Sequence, residues 1–263
     1  MAATTASPNH LIIVCGHAVW AGGPTNGQDE SEWIIEDWKK GESPTYTAHI
    51  KAGLQALSED DRAVLVFSGY ANLAAANNYW GLLPLPDASQ QPTSPPQPSL
   101  PLPSSSSSSS CPRRILTEDR ALDSYQNILH SLTTFWRTTA HWPVRLTIVS
   151  HAFKRQRLAH VHCVGALGFP PDRVAFVGID PPGIGPDVLA SEARAVEAWE
   201  RDPQGRSEEL RGKRARRNCW GVSQRMFLDE AERARSGIET VVGEDGAEYL
   251  VEAGSRPWGR DEQ

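Results

Sequence analysis

Long hydrophobic runs are missing from this chain of 263 residues, and so is the pattern of a secretory leader. No stretch approaches the roughly 20 apolar residues that a membrane-spanning helix needs. The first residues, MAATTASPNH, contain neither the basic stretch nor the apolar stretch of a signal peptide. We therefore expect a cytoplasmic protein with no membrane partner.

Cysteine is scarce, and its four residues lie far apart, at Cys15, Cys111, Cys163 and Cys219. No C-x-x-C pair or zinc-type spacing is present, which argues against a disulfide scaffold and a zinc finger. Without a leader, the expected state of these residues is the reduced thiol of the cytoplasm. The spacing predicts no metal site.

An excess of positive charge is missing too, because 26 Lys+Arg face 32 Asp+Glu and the net charge is −6. Proteins that bind nucleic acid through its phosphates are usually basic, so nucleic acid is not an expected partner. What is present is ordinary globular composition, with 39% hydrophobic and 22% charged residues. That composition and length suit an α/β domain with a buried core.

Five short apolar runs, each followed by small or polar residues, predict the strands of a sheet. The runs are Leu11–Cys15, Ala63–Phe67, Arg114–Thr117, Val144–Val149 and Val174–Val177. Runs of this length that are rich in β-branched residues are typical of buried parallel strands. Helical patterns separate them, at Ser43–Leu57 (with Ser43 as N-cap), Ala71–Trp80, Glu118–Arg137 and Lys154–Leu167. This order predicts a Rossmann-like three-layer αβα sandwich with a mostly parallel sheet of about five strands.

Outside the sheet, the pattern predicts a disordered N-terminus (1–10) and one domain (11–263) with a C-terminal extension (184–263). The extension contains the helical patterns Pro186–Asp202 and Asp229–Arg235 and a small hairpin that turns at Asp245-Gly246. Residues 84–112 are rich in proline and serine, with seven consecutive serines, and predict a disordered insertion. Tolerated loop expansion explains this insertion better than a P-x-x-P docking motif, because long loops add little closure entropy.

Polar residues follow each predicted strand, at the edge where ligands bind to open parallel sheets. The candidate ligand-binding residues are Gly16, His17, Ser68, Gly69, Ser124, Asn127, Ser150, His151, Lys154 and Arg157. Lys154 and Arg157 lie three apart at a predicted helix start, where free backbone N–H groups already suit an anion. A solvated helix start is the alternative for these two cations, and helix capping is the alternative for Ser124 and Asn127.

Glu118 is the candidate catalytic residue, as a general acid or base or as an acceptor for ribose hydroxyls. The alternative is a carboxylate in the first turn that serves only the helix dipole. The motifs G-x-S-x-G, G-x-G-x-x-G and the P-loop are all missing. The hydrolase elbow and the usual dinucleotide fingerprint are therefore not expected.

Four other features have ordinary structural interpretations. His160 and His162 are two apart and would face different sides of a helix, and Cys15 is expected in the core. Trp33 and Trp38 are expected to pack their loop rather than to form a lid. The basic run Arg211, Lys213, Arg214, Arg216 and Arg217 is expected on a solvated helix paired with Glu208 and Glu209, with docking as the alternative.

The strand ends resemble the YdcF/SanA-like family, a domain of unknown function, in its fungal branch. The similar segments are 11–18, 63–69, 118–127, 148–157 and 176–183. The most specific family motifs, E-x-x-S-x-x-T-x-x-N and T-S-x-x-H-x-x-R, correspond here to Glu118, Ala121, Ser124 and Asn127 and to Ser150, His151, Lys154 and Arg157. The resemblance implies a Rossmann-like fold and an adenosyl-type ligand such as S-adenosylmethionine, with no settled reaction.

Three departures from the family bear on function. Ala121 replaces a serine, and Lys154 replaces a histidine of bacterial members, which disfavours imidazole catalysis there but keeps anion binding. After Gly69 the chain runs directly into Tyr70, without the glycine-rich loop and carboxylate of the family. A strand and helix are usually joined by a short loop of several residues, so we expect the missing loop to impair the pocket.

The sequence thus predicts a protein that binds a small anionic or nucleotide-like ligand at the strand edge. The first alternative is a hydrolase or transferase that acts on such a ligand. The second is an interaction protein that docks through the insertion 84–112 or through the basic run. The patterns identify neither a reaction nor an oligomeric state.

Overall fold

A five-stranded parallel sheet forms the centre of the computed structural model, which describes residues 7–21, 23–25, 27–69, 114–218, 221–252 and 256–259. Its strands are β1 (His10–Cys15), β2 (Ala63–Ser68), β3 (Ile115–Glu118), β4 (Arg145–Ser150) and β5 (Val174–Gly178). Their order across the sheet is β3–β2–β1–β4–β5, and every neighbouring pair is parallel. This Rossmann-like order confirms the predicted fold class, and the strand ends lie within one residue of the prediction.

Helices cover both faces of the sheet. Helix α1 (Ser43–Ser58) packs on the face that contains Ile12 and Leu65. Helix α2 (Ser124–Thr139) and a π-type helix (Gln156–Ala166) cover the other face, which contains Leu11. Because both faces are buried, alternate residues of each strand point into different cores.

Gly53 allows α1 to approach the sheet closely. A Cβ atom added at Gly53 would lie 2.4 Å from Val14 Cγ2, inside the van der Waals limit. His49 lies one turn earlier on the same face of α1, so this close approach also brings His49 down onto the sheet.

Two helix starts differ from the prediction. Helix α1 begins at Ser43 itself, and Glu42 occupies the N-cap position without a side-chain capping bond. Helix α2 begins at Ser124 instead of Glu118, because Glu118 still belongs to β3. Asp123 is its N-cap and accepts a 2.8 Å hydrogen bond from the Gln126 amide. Ser124 therefore does not cap the helix, because Asp123 does. Glu118 lies six residues before the first helical residue, so it does not belong to the first turn.

The helix predicted over Lys154–Leu167 is divided and is not α-helical. A 3₁₀ turn (Ala152–Lys154) precedes the π-type helix, whose end includes a bond from the Leu167 amide to the His162 carbonyl, five residues back. Lys154 and Arg157 consequently lie in different elements and point to different partners.

The C-terminal extension contains the predicted helices and hairpin. They are α3 (Pro186–Arg201), α4 (Glu208–Arg217), α5 (Glu230–Ser236) and the antiparallel strands Thr240–Val242 and Glu248–Leu250. Met226, Phe227 and Trp258 are buried in the same core as α2. The prediction that the basic run lies on a solvated helix is wrong for Arg214. This residue is 5% exposed and donates a hydrogen bond to the Tyr249 hydroxyl.

The sequence did not predict a small antiparallel hairpin after β1, formed by Val19–Trp20 and Trp33–Ile34. Glu32 organises it, accepting bonds from the Thr25 and Gly27 amides at 2.7 and 2.6 Å. Burial would raise the pKa of Glu32, but these bonds outweigh it and lower the pKa to about 2.

The two tryptophans of this region differ. Trp33 packs against Tyr46 as expected, with ring centroids 5.9 Å apart. Trp38 does not pack down, because it is 71% exposed. The predicted helix 71–80 and the insertion 84–112 lie outside the described residues. Within the described ranges, no helix is long and apolar enough to cross a membrane.

Candidate functional site

The candidate site lies where the chain direction across the sheet reverses, between β1 and β4. From β1 the chain proceeds to β2 and β3 on one side, and from β4 to β5 on the other. A crevice opens at the carboxyl ends of such a strand pair, and ligands of open α/β proteins bind there. Gly16 and His17 follow β1, and His151 follows Ser150 at the end of β4. Four of the predicted site residues therefore meet at this point.

His17 connects the ends of the two central strands. Its Nε2 lies 3.2 Å from Ser150 Oγ, and its Nδ1 accepts a 3.4 Å bond from Lys154 Nζ. A second cation approaches its backbone, because Lys39 Nζ donates to the His17 carbonyl at 3.0 Å. His17 thus links Ser150 and Lys154, as their predicted positions at neighbouring strand ends require.

Three imidazole rings pack together beside this link. The ring centroid of His17 lies 4.2 Å from that of His151 and 5.4 Å from that of His49. The ring of His151 also stacks on that of Phe153, with centroids 5.1 Å apart. His151 is 3% exposed, and neither of its ring nitrogens has a hydrogen-bond partner among the described residues. The nearest carboxylate oxygen is Glu42 Oε2, 3.6 Å from His151 Nε2.

These imidazoles are neutral at physiological pH. Burial lowers the pKa of His151 to about 2, and the positive charge of Lys154 adds to the effect. The same causes, burial first, lower the pKa of His17 well below its usual value. Burial also lowers the pKa of His49, although its Nε2 bonds the Ile179 carbonyl at 2.8 Å. The cluster therefore provides hydrogen-bonding groups without charge.

Lys154 supplies the positive charge of the crevice. Its ammonium contacts the Nδ1 of His17 and lies 5.4 Å from the centroid of the Phe153 ring. Burial is the main cause that lowers the pKa of Lys154 to about 7, and the positive charges of Arg157 and Lys39 lower it further. Across the described ranges, no carboxylate lies within ion-pair distance of Lys154 Nζ. An anionic ligand would supply the missing charge partner.

Arg157, the second predicted cation, already has a carboxylate partner. Its Nε and Nη2 donate to the two carboxylate oxygens of Glu192, both at 2.7 Å. Its Nη1 donates to Ser124 Oγ at 2.5 Å. Of the two cations predicted to bind an anion, Lys154 is therefore the one that remains a candidate. Arg157 instead joins α3 to the start of α2.

Glu118 is buried at the end of β3, and its oxygens are occupied. Oε1 accepts the Arg120 and Ala121 amides at 2.7 and 3.1 Å, and Oε2 accepts Ser68 Oγ at 2.8 Å. Burial would raise the pKa of Glu118, but the approach of His130 Nδ1 to 3.5 Å and these hydrogen bonds outweigh it and lower the pKa. This geometry favours a structural carboxylate that joins β2 to β3 over a free acid or base.

The other predicted site residues lie around the same edge. The Gly69 amide donates to the Glu118 carbonyl at 3.0 Å, and its φ of +146° is one that glycine adopts readily. The backbone carbonyl of Asn127 lies 3.1 Å from Ser68 Oγ, whose hydrogen is shared with the shorter contact to Glu118. Cys15 lies beneath them, and burial raises the pKa of its thiol to about 11 despite nearby positive charge. Cys15 is a core residue, as expected.

Several residues of the crevice were not predicted. His49 and Glu42 come from α1, and Glu192 comes from α3, beyond the sheet. A signal existed for His49, because it lies four residues before Gly53 on a predicted helix. Among the described residues, no group of His, Cys, Asp or Glu is arranged to hold a metal ion.

The fold defines the class, a parallel α/β protein of Rossmann-like strand order with helices on both faces of its sheet. No family model matches the chain, and no solved structure matches it. Among curated proteins, it is similar to uncharacterized protein YOR238W of Saccharomyces cerevisiae, with 34% identity over 67 residues. The match covers 26% of this chain and 22% of the yeast protein, so the chain matches about a fifth of that relative's length.

Proposed function

We propose that this chain binds a small anionic ligand, such as a phosphate or carboxylate compound, in the crevice between β1 and β4. The observation that carries the proposal is the ammonium of Lys154, which has an imidazole nitrogen 3.4 Å away and no carboxylate partner in the described ranges. The neutral imidazole of His151, with two unpaired nitrogens, supplies hydrogen bonds to the same ligand. Lys39 also reaches this edge through its bond to the His17 carbonyl, but its charge is paired with Glu36 at 2.9 Å.

The adenosyl-type ligand implied by the family resemblance fits these residues only in part. S-adenosylmethionine contains a sulfonium cation, which the charge of Lys154 would repel. Its ribose hydroxyls need a free acceptor, whereas both oxygens of Glu118 are bonded within the protein. A nucleotide phosphate suits the crevice better than a sulfonium, and no step is assigned to S-adenosylmethionine. A cytoplasmic location accords with the free thiols of Cys15 and Cys163.

Thermal melts and calorimetry of the full chain test the proposal, with inorganic phosphate, adenosine monophosphate and S-adenosylmethionine as probes. A phosphate-containing probe at about 100 times its Kd is expected to add about 2.7 kcal/mol to the free energy of unfolding. S-adenosylmethionine is expected to have a smaller effect. The proposal fails if no anionic probe raises the melting temperature at millimolar concentration.

Lys154→Met is expected to weaken binding of the phosphate probe by tenfold or more, about 1.4 kcal/mol, because it removes the charge partner. The matched control is Lys51→Met, which removes an exposed lysine from α1 and should leave the Kd unchanged. Since the pKa of Lys154 is about 7, binding by the wild-type chain should also weaken as the pH rises through that value. Equal affinities for wild type and Lys154→Met would contradict the assignment of this crevice.

A further inference from the structure

The hydroxyl of Ser124 lies between an imidazole and a guanidinium. Ser124 is the first residue of α2 and is partly exposed. Its Oγ is 2.9 Å from His162 Nε2 and 2.5 Å from Arg157 Nη1. A guanidinium only donates hydrogen bonds, so the oxygen of Ser124 accepts from Arg157. In the tautomer of His162 that has its proton on Nδ1, the Ser124 hydroxyl donates its own hydrogen to His162 Nε2. This is the contact that a serine nucleophile makes with its general base.

His162 is held in a fixed orientation that suits a base. It is fully buried, and its ring makes edge contacts with Trp199 at 4.7 Å and with Tyr125 at 5.8 Å between centroids. Burial, followed by the charge of Arg157, lowers its pKa well below the usual value. The imidazole is therefore neutral. His162 Nδ1 has no hydrogen-bond partner among the described residues, and the proposal places the proton of the neutral ring there, so that Nε2 can accept the proton of Ser124.

The π-type helix explains how Arg157 and His162 reach the same hydroxyl. Residues five apart in an α-helix are rotated by about 140°, at roughly 100° per residue, and face different sides. When hydrogen bonds run from residue i to i+5, residues five apart lie nearly above one another. Arg157 and His162 are five apart in the π-type helix, and both point at Ser124. π-Helical turns occur frequently at functional sites.

Glu192 fixes the third member of the group. Its two carboxylate oxygens hold Nε and Nη2 of Arg157, which leaves Nη1 directed at Ser124. A guanidinium in this position stabilises negative charge that develops on or beside the serine oxygen. The group lies at the start of α2 at the carboxyl edge of the sheet, where backbone N–H groups add to the same effect.

We propose that Ser124 is a catalytic nucleophile toward carboxylic esters, with His162 as its general base and Arg157 as the stabiliser of the oxyanion. Ser124 Oγ forms a bond to the ester carbonyl carbon while its proton passes to His162 Nε2. The ester C–O bond then breaks, and the alcohol leaves with the proton from His162. Water hydrolyses the acyl-serine by the same proton transfers in reverse order. The proposal does not depend on anion binding at Lys154.

Labelling of the full chain with an alkyl fluorophosphonate tests this proposal. Ser124 Oγ would bond to phosphorus, fluoride would leave, and the proton would pass to His162. Digestion with trypsin releases residues 121–137, and fragmentation of that peptide locates the adduct. We expect the adduct on Ser124 in the native chain, and no preference for Ser124 when the chain is unfolded in urea. Native labelling that does not favour Ser124 over exposed serines overturns the proposal.

Two substitutions and a control test whether His162 acts as the base or only packs against Ser124. Ser124→Ala is expected to abolish the adduct, and His162→Gln to slow labelling by a hundredfold or more. The matched control is His160→Gln, an exposed histidine of the same helix, which should label at the wild-type rate. If folded His162→Gln labels as fast as wild type, His162 is not the base. If that variant does not fold, the comparison of native and unfolded wild type still decides the assignment of Ser124.

Discussion

At the scale of single residues, Glu118 is a buried carboxylate that positions the loop between β3 and α2. Its oxygens join the Ser68 hydroxyl of β2 to the amides of Arg120 and Ala121 beyond β3. His130 Nδ1 of α2 lies 3.5 Å from Oε1 and adds a further contact. The loop that leads to Ser124 is therefore positioned by Glu118, although Glu118 does not face a free crevice.

Glu118→Gln is expected to lower the free energy of unfolding by about 1–3 kcal/mol, because one acceptor oxygen becomes an amide donor among buried donors. Urea unfolding measures the change. Asp119→Asn is the matched control, since Asp119 is exposed and the next residue in the chain. Unchanged stability of Glu118→Gln would contradict the structural role assigned to this carboxylate.

The positions of His17, Ser150 and Lys154 could be predicted from the sequence, because each follows a recognisable parallel strand. Their partners could not. His49 bonds the carbonyl of Ile179, and Arg157 bonds Glu192, and both contacts join segments that are distant in the chain. Strand periodicity identifies which residues reach an edge, but the pairing of charges there depends on how separate helices pack.

At the scale of elements, strands were more predictable than helix type. The five strands are buried on both faces, so their apolar runs are continuous and their ends are marked by Gly16, Ser68 and Ser150. The π-type helix has no comparable signal, because an apolar stripe over Gln156–Ala166 fits an α-helix equally well. The α-helical interpretation separates Arg157 from His162, and for that reason the Ser124 group could not be recognised from sequence.

Arg214 is the buried arginine of helix α4. This side chain donates to the carbonyls of Gln204 and Gly205 and to the hydroxyl of Tyr249, and it lies 3.5 Å from Asp123. Since Asp123 is the N-cap of α2, the contact joins the C-terminal extension to the start of the helix that carries Ser124.

Arg214→Leu is expected to lower the free energy of unfolding by about 3–5 kcal/mol, because it leaves buried carbonyls and Asp123 without their cation. Arg216→Leu, an exposed position of the same helix, should change it by less than about 0.5 kcal/mol. Denaturant unfolding of the two variants gives the comparison. Equal stabilities would show that α4 is held by its apolar contacts alone.

At the scale of the whole molecule, buried neutral histidines make stability depend on pH. Five of the eight histidines have pKa values lowered chiefly by burial. They are His10, His17, His49, His151 and His162. The unfolded chain binds protons at these groups near its usual pKa of about 6.5, whereas the folded chain binds them only at lower pH. Stability is therefore complete above that value and falls as the pH drops below it.

Each histidine that stays neutral in the folded state is expected to remove up to about 1.4 kcal/mol per pH unit below about 6.5. The melting temperature is therefore expected to fall steadily from about pH 6.5 to about pH 5. Melting temperatures between these pH values measure the slope. His151→Phe, which keeps the ring stacked on Phe153, should make the slope shallower, and His160→Gln should not. A flat profile would contradict the neutral state of the cluster.

The carboxylate that pairs with Arg157 belongs to α3, a helix of the C-terminal extension. Among proteins built on the same sheet, a change at the position of Glu192 alone would release a guanidinium beside Lys154 and raise the charge of the crevice by one. Under the proposed anion binding, the preferred charge of the ligand is then expected to change without any substitution in the strands or their loops. The C-terminal helix would set that preference independently of the parallel sheet.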